Sequence, residues 1–115
     1  AVRSRVGICL DTAHLWAAGY DLAGDGLARV LAEAAEHWDG GPPDALHVND
    51  TAVALGSGRD RHAPPGEGVL GERFYRRLLA EEALAETPMI VEIPPGAGNA
   101  LVRRALNRLR RWLRP

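Results

Sequence analysis

Lysine is absent from this sequence, cysteine occurs once, and aromatic side chains make up 5% of its 115 residues. A single cysteine excludes a disulfide framework and any thiolate-rich zinc module, leaves His, Asp and Glu as the available metal ligands, and fits a reducing, cytoplasmic setting. No apolar run approaches the roughly 18 residues of a membrane span. The opening Ala1-Val2-Arg3-Ser4-Arg5 lacks the shape of a secretory signal, so neither a membrane partner nor a targeting address is expected. All 14 basic residues are Arg, and six of them follow the last acid, Glu92. The stretch up to Glu92 carries eight Arg against fifteen acids, a balance that disfavours nucleic acid as partner unless bound cations reverse the local sign.

What is present is an alternation of short apolar runs and amphipathic stretches. Val6-Gly7-Ile8-Cys9-Leu10, Ala45-Leu46-His47-Val48 and Met89-Ile90-Val91-Glu92-Ile93 read as strands buried on both faces. Leu27, Val30, Leu31, Ala34, Ala35 and Trp38 recur at helical spacing, with Asp25 as N-cap and Gly40-Gly41-Pro42-Pro43 as a stop. A second helix is expected over roughly residues 72–84. A third carries Val102, Ala105, Leu106, Leu109, Trp112 and Leu113 on one stripe, with its Arg residues on a solvated face. Residues 50–71 are rich in Gly and Pro without periodicity, a loop long enough to be either disordered or functional.

The order β, α, β, long loop, α, β, α predicts a parallel sheet with outer helices, and three strands cannot bury both faces of such a sheet. A complete (β/α)8 barrel needs about 250 residues. The expected fold class is therefore α/β, with about three βα units forming the C-terminal portion of a TIM barrel and residues 1–115 one partial domain.

Polar, metal-competent side chains stand at or just after the end of each predicted strand: Asp11 and His14, His47 with Asp50, and Glu92. That edge is where parallel α/β sheets build active sites. Singly, Asp11 reads as a cap, His14 as a surface residue and His47 as a core histidine. Glu92, flanked by Val91 and Ile93, reads as a buried carboxylate that needs a partner. Convergence at one sheet edge, with Asp60 and His62 added by the long loop, favours a site. Imidazole with carboxylate suits zinc, or manganese and iron, and six donors exceed one tetrahedral ion. Clustered ions serve water activation and phosphodiester hydrolysis. Cys9 reads as a small buried hydrophobe and His37 as a solvent-facing helical residue.

The stretch Ser4-Arg5-Val6-Gly7-Ile8-Cys9-Leu10-Asp11-Thr12-Ala13-His14 with Ala17-Ala18-Gly19-Tyr20-Asp21 resembles the endonuclease IV family of abasic-site endonucleases. So do His47-Val48-Asn49-Asp50, Gly56-Ser57, Asp60-Arg61-His62, Gly66-Glu67-Gly68 with Gly71, and Ile90-Val91-Glu92, all in family order. The resemblance implies a TIM barrel of the xylose isomerase-like superfamily with a site for up to three zinc ions. It also implies cleavage of double-stranded DNA 5′ to abasic sites in base excision repair. By the same resemblance His14, Asp60 and His62 surround one zinc. Asp11, His47 and Glu92 hold a second, joined in the family by a Glu from an earlier strand, and they are the expected catalytic set.

Ala13 stands where the family often has Cys, Thr51-Ala52 follows Asn49-Asp50, and the loop arginine, Arg59, is displaced by one position. The earlier Glu and two further zinc-binding His have no counterpart here. The chain is thus expected to hold part of the site, to need an N-terminal barrel segment as partner, and not to nick abasic DNA alone. The alternative is a metal-dependent sugar isomerase or epimerase on a similar barrel, against which the Asp60-Arg61-His62 loop speaks. No oligomeric state is legible.

Overall fold

A computed structural model describes residues 5–38, 41–94 and 96–114; the expectations placed on Ser4 and Gly40 lie outside these described residues. Strands β1 (Cys9–Asp11), β2 (Ala45–His47) and β5 (Met89–Ile90) form one sheet in the order β1-β2-β5, with both pairs parallel. The register sets Leu10 beside Leu46 and Leu46 beside Met89; one residue on, it sets Asp11 beside His47 and His47 beside Ile90. Side chains alternate across a strand. Leu10, Leu46 and Met89 therefore face the helices and join the core, while Asp11, His47 and Ile90 share the opposite face with Cys9 and Ala45.

That opposite face corrects two expectations. The strands are not buried on both sides, since Ile90 is 47% exposed, and Cys9 is exposed rather than a buried hydrophobe. The strands are also shorter than the apolar runs: Val6, Gly7 and Ile8 precede β1, where the Ile8 amide donates to Asp44 Oδ2 at 2.9 Å.

Helix α2 (Gly26–His37) matches the expected stripe, burying Val30 and Ala34 and exposing His37, although Asp25 makes no side-chain cap. Helix α3 (Gly71–Ala80) buries Phe74, Tyr75 and Leu78, and a 3₁₀ turn, Glu82–Leu84, replaces the last turn expected of it. Helix α4 (Asn99–Leu113) docks on α3 through Trp112, whose ring stacks on Tyr75 with centroids 5.7 Å apart; Leu113 points outward. Among the described residues no helix is long and apolar enough to cross a membrane.

Part of the arginine face of α4 also makes structural contacts. Trp112 lies over Gly66, which has φ +85° and where a Cβ would come within 2.4 Å of the indole. Beside it Arg108 donates to the Pro65 carbonyl at 2.8 Å, and Arg104 and Arg108 both donate to Glu67. Arg104 chiefly, opposed by partial desolvation and assisted by Arg108, holds the Glu67 carboxyl below the ordinary value of 4.5. A carboxylate with a lowered pKa stabilises the folded state above its unfolded value and ceases to do so as pH falls through the folded one. In a variant with Trp16→Phe and Trp38→Phe, which leaves Trp112 as the sole tryptophan, fluorescence followed from neutral pH downward should therefore report loosening of α4 below the ordinary carboxylate range, and Glu67→Gln should remove that transition.

Candidate metal centre

Asp11 ends β1 and begins α1 (Thr12–Ala17), a short helix that the periodicity does not announce. It caps that helix with one oxygen, Oδ1 accepting from the His14 amide at 3.0 Å, which leaves Oδ2 turned toward the sheet edge. The cap reading and the site reading of Asp11 are both correct, one for each oxygen. The last carbonyls of α1 have no partner within the helix. Those of Trp16 and Ala17 accept from the amides of Gly56 at 3.0 Å and Gly58 at 2.9 Å, both glycines at positive φ.

The long loop is thereby ordered along its length. A two-residue antiparallel ladder, β3 (Asp50–Thr51) with β4 (His62–Ala63), closes it, and the Thr51 hydroxyl donates to the Arg61 carbonyl at 2.8 Å. Asp60 and His62 are held beside His14 as a result.

Three donor atoms meet there: His62 Nε2 lies 3.0 Å from Asp60 Oδ1 and 3.4 Å from His14 Nε2, with 3.2 Å between His14 and Asp60. A tetrahedral zinc with ligands at about 2.0–2.1 Å has edges of about 3.3–3.4 Å. Asp60 and His14 are solvent-facing, at 68% and 55% exposure. On the sheet side His47 Nδ1 lies 2.8 Å from Glu92 Oε1 and 3.6 Å from Asp11 Oδ2. The same Asp11 oxygen lies 3.7 Å from His62 Nε2. Asp11, His14 and His62 form one group, and Asp11, His47 and Glu92 another, whose ligand atoms all lie within 4.8 Å of one another. Imidazole and carboxylate donors so spaced could hold two divalent ions of the zinc, manganese or iron class, with Asp11 common to both groups.

All six sequence-derived site residues converge, with two differences in detail. His47 is not a core histidine but stands at the site, and Glu92 is 44% exposed rather than buried, since β5 ends two residues before it. Beside the centre, His14, Ala17, Ala18, Gly58, Arg59 and Asp60 line a hollow of about 250 Å³.

Asp50 does not join the cluster. Alternation from His47 turns Asp50 to the helix side with Val48, where it is wholly buried. There Oδ1 accepts from the amides of Thr51 and Leu70, both at 2.9 Å, and Oδ2 from Gly66 at 3.0 Å and Gly71 at 3.4 Å. Burial first, and then the Asp50 charge, push the neighbouring Tyr75 phenol far above its ordinary value. Gly68 packs so closely that a Cβ would meet the Thr51 carbonyl at 2.3 Å. The same alternation places Asn49, wholly buried, on the site face, a residue that a search for ligands passes over.

Each amide left unpaired in the interior costs about 1–3 kcal/mol. Asp50→Ala should lower stability by at least about 3 kcal/mol in urea denaturation, and Asp50→Asn, which keeps an acceptor, by clearly less.

The family model described as "Xylose isomerase-like TIM barrel" matches residues 1–112. The chain is 46% identical over 112 residues to a probable endonuclease 4 of Nitratidesulfovibrio vulgaris, covering 96% of this chain and 40% of that protein. It is 43% identical over 91 residues to a probable endonuclease 4 of Moorella thermoacetica, covering 78% and 33%. The crystal structure of endonuclease IV from Thermus thermophilus superposes with a TM-score of 0.77 at 34% identity, covering 94% of this chain and 39% of that one. The chain thus spans about two-fifths of the length of the first of these relatives. Its three parallel strands with outer helices and its match over residues 1–112 make it a member of the xylose isomerase-like TIM barrel family, on the endonuclease IV side of that family.

Proposed function

We propose that this chain forms part of the catalytic face of a metal-dependent endonuclease that cleaves DNA 5′ to abasic sites. The observation that carries this reading is the meeting of two donor groups at Asp11, one from the strand ends and one brought by the loop. The loop pair Asp60 and His62 favours a nuclease over the sugar isomerase alternative, because it adds a second donor group to the strand-end carboxylates. The names of the relatives support the same choice.

In this reading His14, Asp60 and His62 hold one zinc, and Asp11, His47 and Glu92 a second. Zinc ions bound there supply Lewis acidity toward phosphate oxygens and water, and offset the acidic excess that would repel DNA. Asp11, at 8% exposure and bonded through both oxygens, orients the donors. Glu92, more exposed and set against His47, is the carboxylate placed to take a proton from an attacking water. An abasic nucleotide suits such a site because extruding it costs little stacking energy. The remaining barrel strands, and ligands for a third zinc, would come from an N-terminal barrel segment that this sequence does not contain.

Native mass spectrometry with zinc supplied should show one equivalent lost in His62→Ala and a second, weaker one lost in His47→Ala; no uptake by the unaltered chain would sink the metal assignment. The activity is tested by grafting residues 1–115 in place of the matching segment of Thermus thermophilus endonuclease IV. The folded chimera should nick a duplex 5′ to an abasic site, and Glu92→Gln should slow it by about 10²-fold or more, whereas the isolated chain should not nick. A folded chimera that loads zinc and leaves the duplex intact would overturn the proposal.

A further inference from the structure

We infer that Asn49 is a positioning residue of the metal centre: its buried side-chain amide sets the facing of the Asp11 and Glu92 carboxylates, and through them the cation affinity of the group Asp11, His47 and Glu92. The inference rests on reading that group as a metal site, and it concerns a residue that offers no ligand atom of its own.

Asn49 is wholly buried, and all of its polar groups are engaged. Its Nδ2 donates to Asp11 Oδ2 at 3.1 Å and to Glu92 Oε1 at 2.9 Å. Its Oδ1 accepts from the Glu92 amide at 3.0 Å. Its backbone amide donates to Thr12 Oγ1 at 2.9 Å, and its carbonyl accepts from the same hydroxyl. One side chain therefore joins residues at the ends of all three parallel strands.

The two oxygens that Nδ2 bonds are the ones that face His47. Two carboxylates drawn together repel, and β5 stops at Ile90, so without Asn49 nothing in the ladder would fix Glu92. A carboxamide suits the task by its chemistry. It has two donors for two acids and one acceptor for a backbone amide, and it carries no charge to compete for the cation. Aspartate at this position would lack the donors, and serine would have only one. Among the described residues Asn49 is hydrogen-bonded to neither His14, Asp60 nor His62 and reaches that group only through Asp11 Oδ2, so the group Asp11, His47 and Glu92 should feel its loss more.

The experiment is a cobalt(II) titration, read by visible absorption, of the full chain and of Asn49→Leu, with His47→Ala and His62→Ala identifying the two equivalents. Hydrogen bonds around metal ligands are worth about 10- to 100-fold in affinity. The His47-dependent equivalent should weaken by about that factor in Asn49→Leu while the His62-dependent one moves less than about threefold. Equal weakening of both equivalents would show a merely structural role and overturn the inference. Unchanged binding of the His47-dependent equivalent would overturn it and leave the metal reading standing. A chain with no His47-dependent cobalt would remove the metal reading, and the inference with it.

Should Asn49→Leu not fold, side-chain amide exchange in the unaltered, metal-free chain decides. The Asn49 Nδ2 hydrogens should exchange at least about 100-fold more slowly than those of exposed Asn107, and shift when zinc is added. Exchange as fast as that of Asn107, or no response to zinc, would overturn the inference.

Discussion

The chain leaves β2 through two adjacent, wholly buried polar residues, and the rest of the site hangs on the hydrogen bonds they make. Alternation turns Asn49 to one face of the sheet and Asp50 to the other. Asn49 gathers the two strand-end carboxylates, Asp11 and Glu92, on the site face. Asp50 gathers the amides of Thr51, Gly66, Leu70 and Gly71 on the helix face, and so closes the returning part of the loop that carries Asp60 and His62. Burying an amide or a carboxylate without partners costs roughly several kcal/mol; here the partners are the elements that have to be held in place. Satisfaction of buried polar groups and construction of the site are the same set of contacts.

The donors differ in how firmly they are held. Asp11 and His47 stand on the sheet, and Asp11 is locked by a helix cap and by Asn49. His14 and Asp60 are mostly exposed, and the loop that aligns Asp60 is tied to α1 by two glycine amides and closed by a two-residue ladder. Docking of α4 reaches the same loop from outside, through Trp112 over Gly66 and two arginines on Glu67. An outer helix far along the sequence thus supports the loop that brings two of the six donors, Asp60 and His62.

Much of this architecture is legible without coordinates. Apolar runs of strand length alternating with helical stripes specify a parallel sheet, and ionisable residues at three successive strand ends specify its working edge. That pattern and the motif resemblance together name the six donors, and all six meet. What is not legible has common causes. The helix α1 is too short to show periodicity, and the loop's order comes from amides and carbonyls, which leave no mark on side-chain composition. Residue type alone groups Asp50 with the ligand candidates, although a period of two counted from His47 sends it away from the site. Cys9 and Glu92 are more exposed than their apolar neighbours suggest, because burial depends on what lies across the sheet.

The strand and helix pattern, the acidic excess up to Glu92 and the set of possible donors can be read along the chain, since hydrophobic period and side-chain chemistry are local properties. That Asp11 stands between two donor groups and that Asn49 joins three strand ends follows from the packing of the chain on itself. So too does the role of Asp50, which serves the loop rather than the donor cluster. Those outcomes depend on parallel register and on contacts between residues 16 to 51 positions apart, distances over which one-dimensional order carries no geometry.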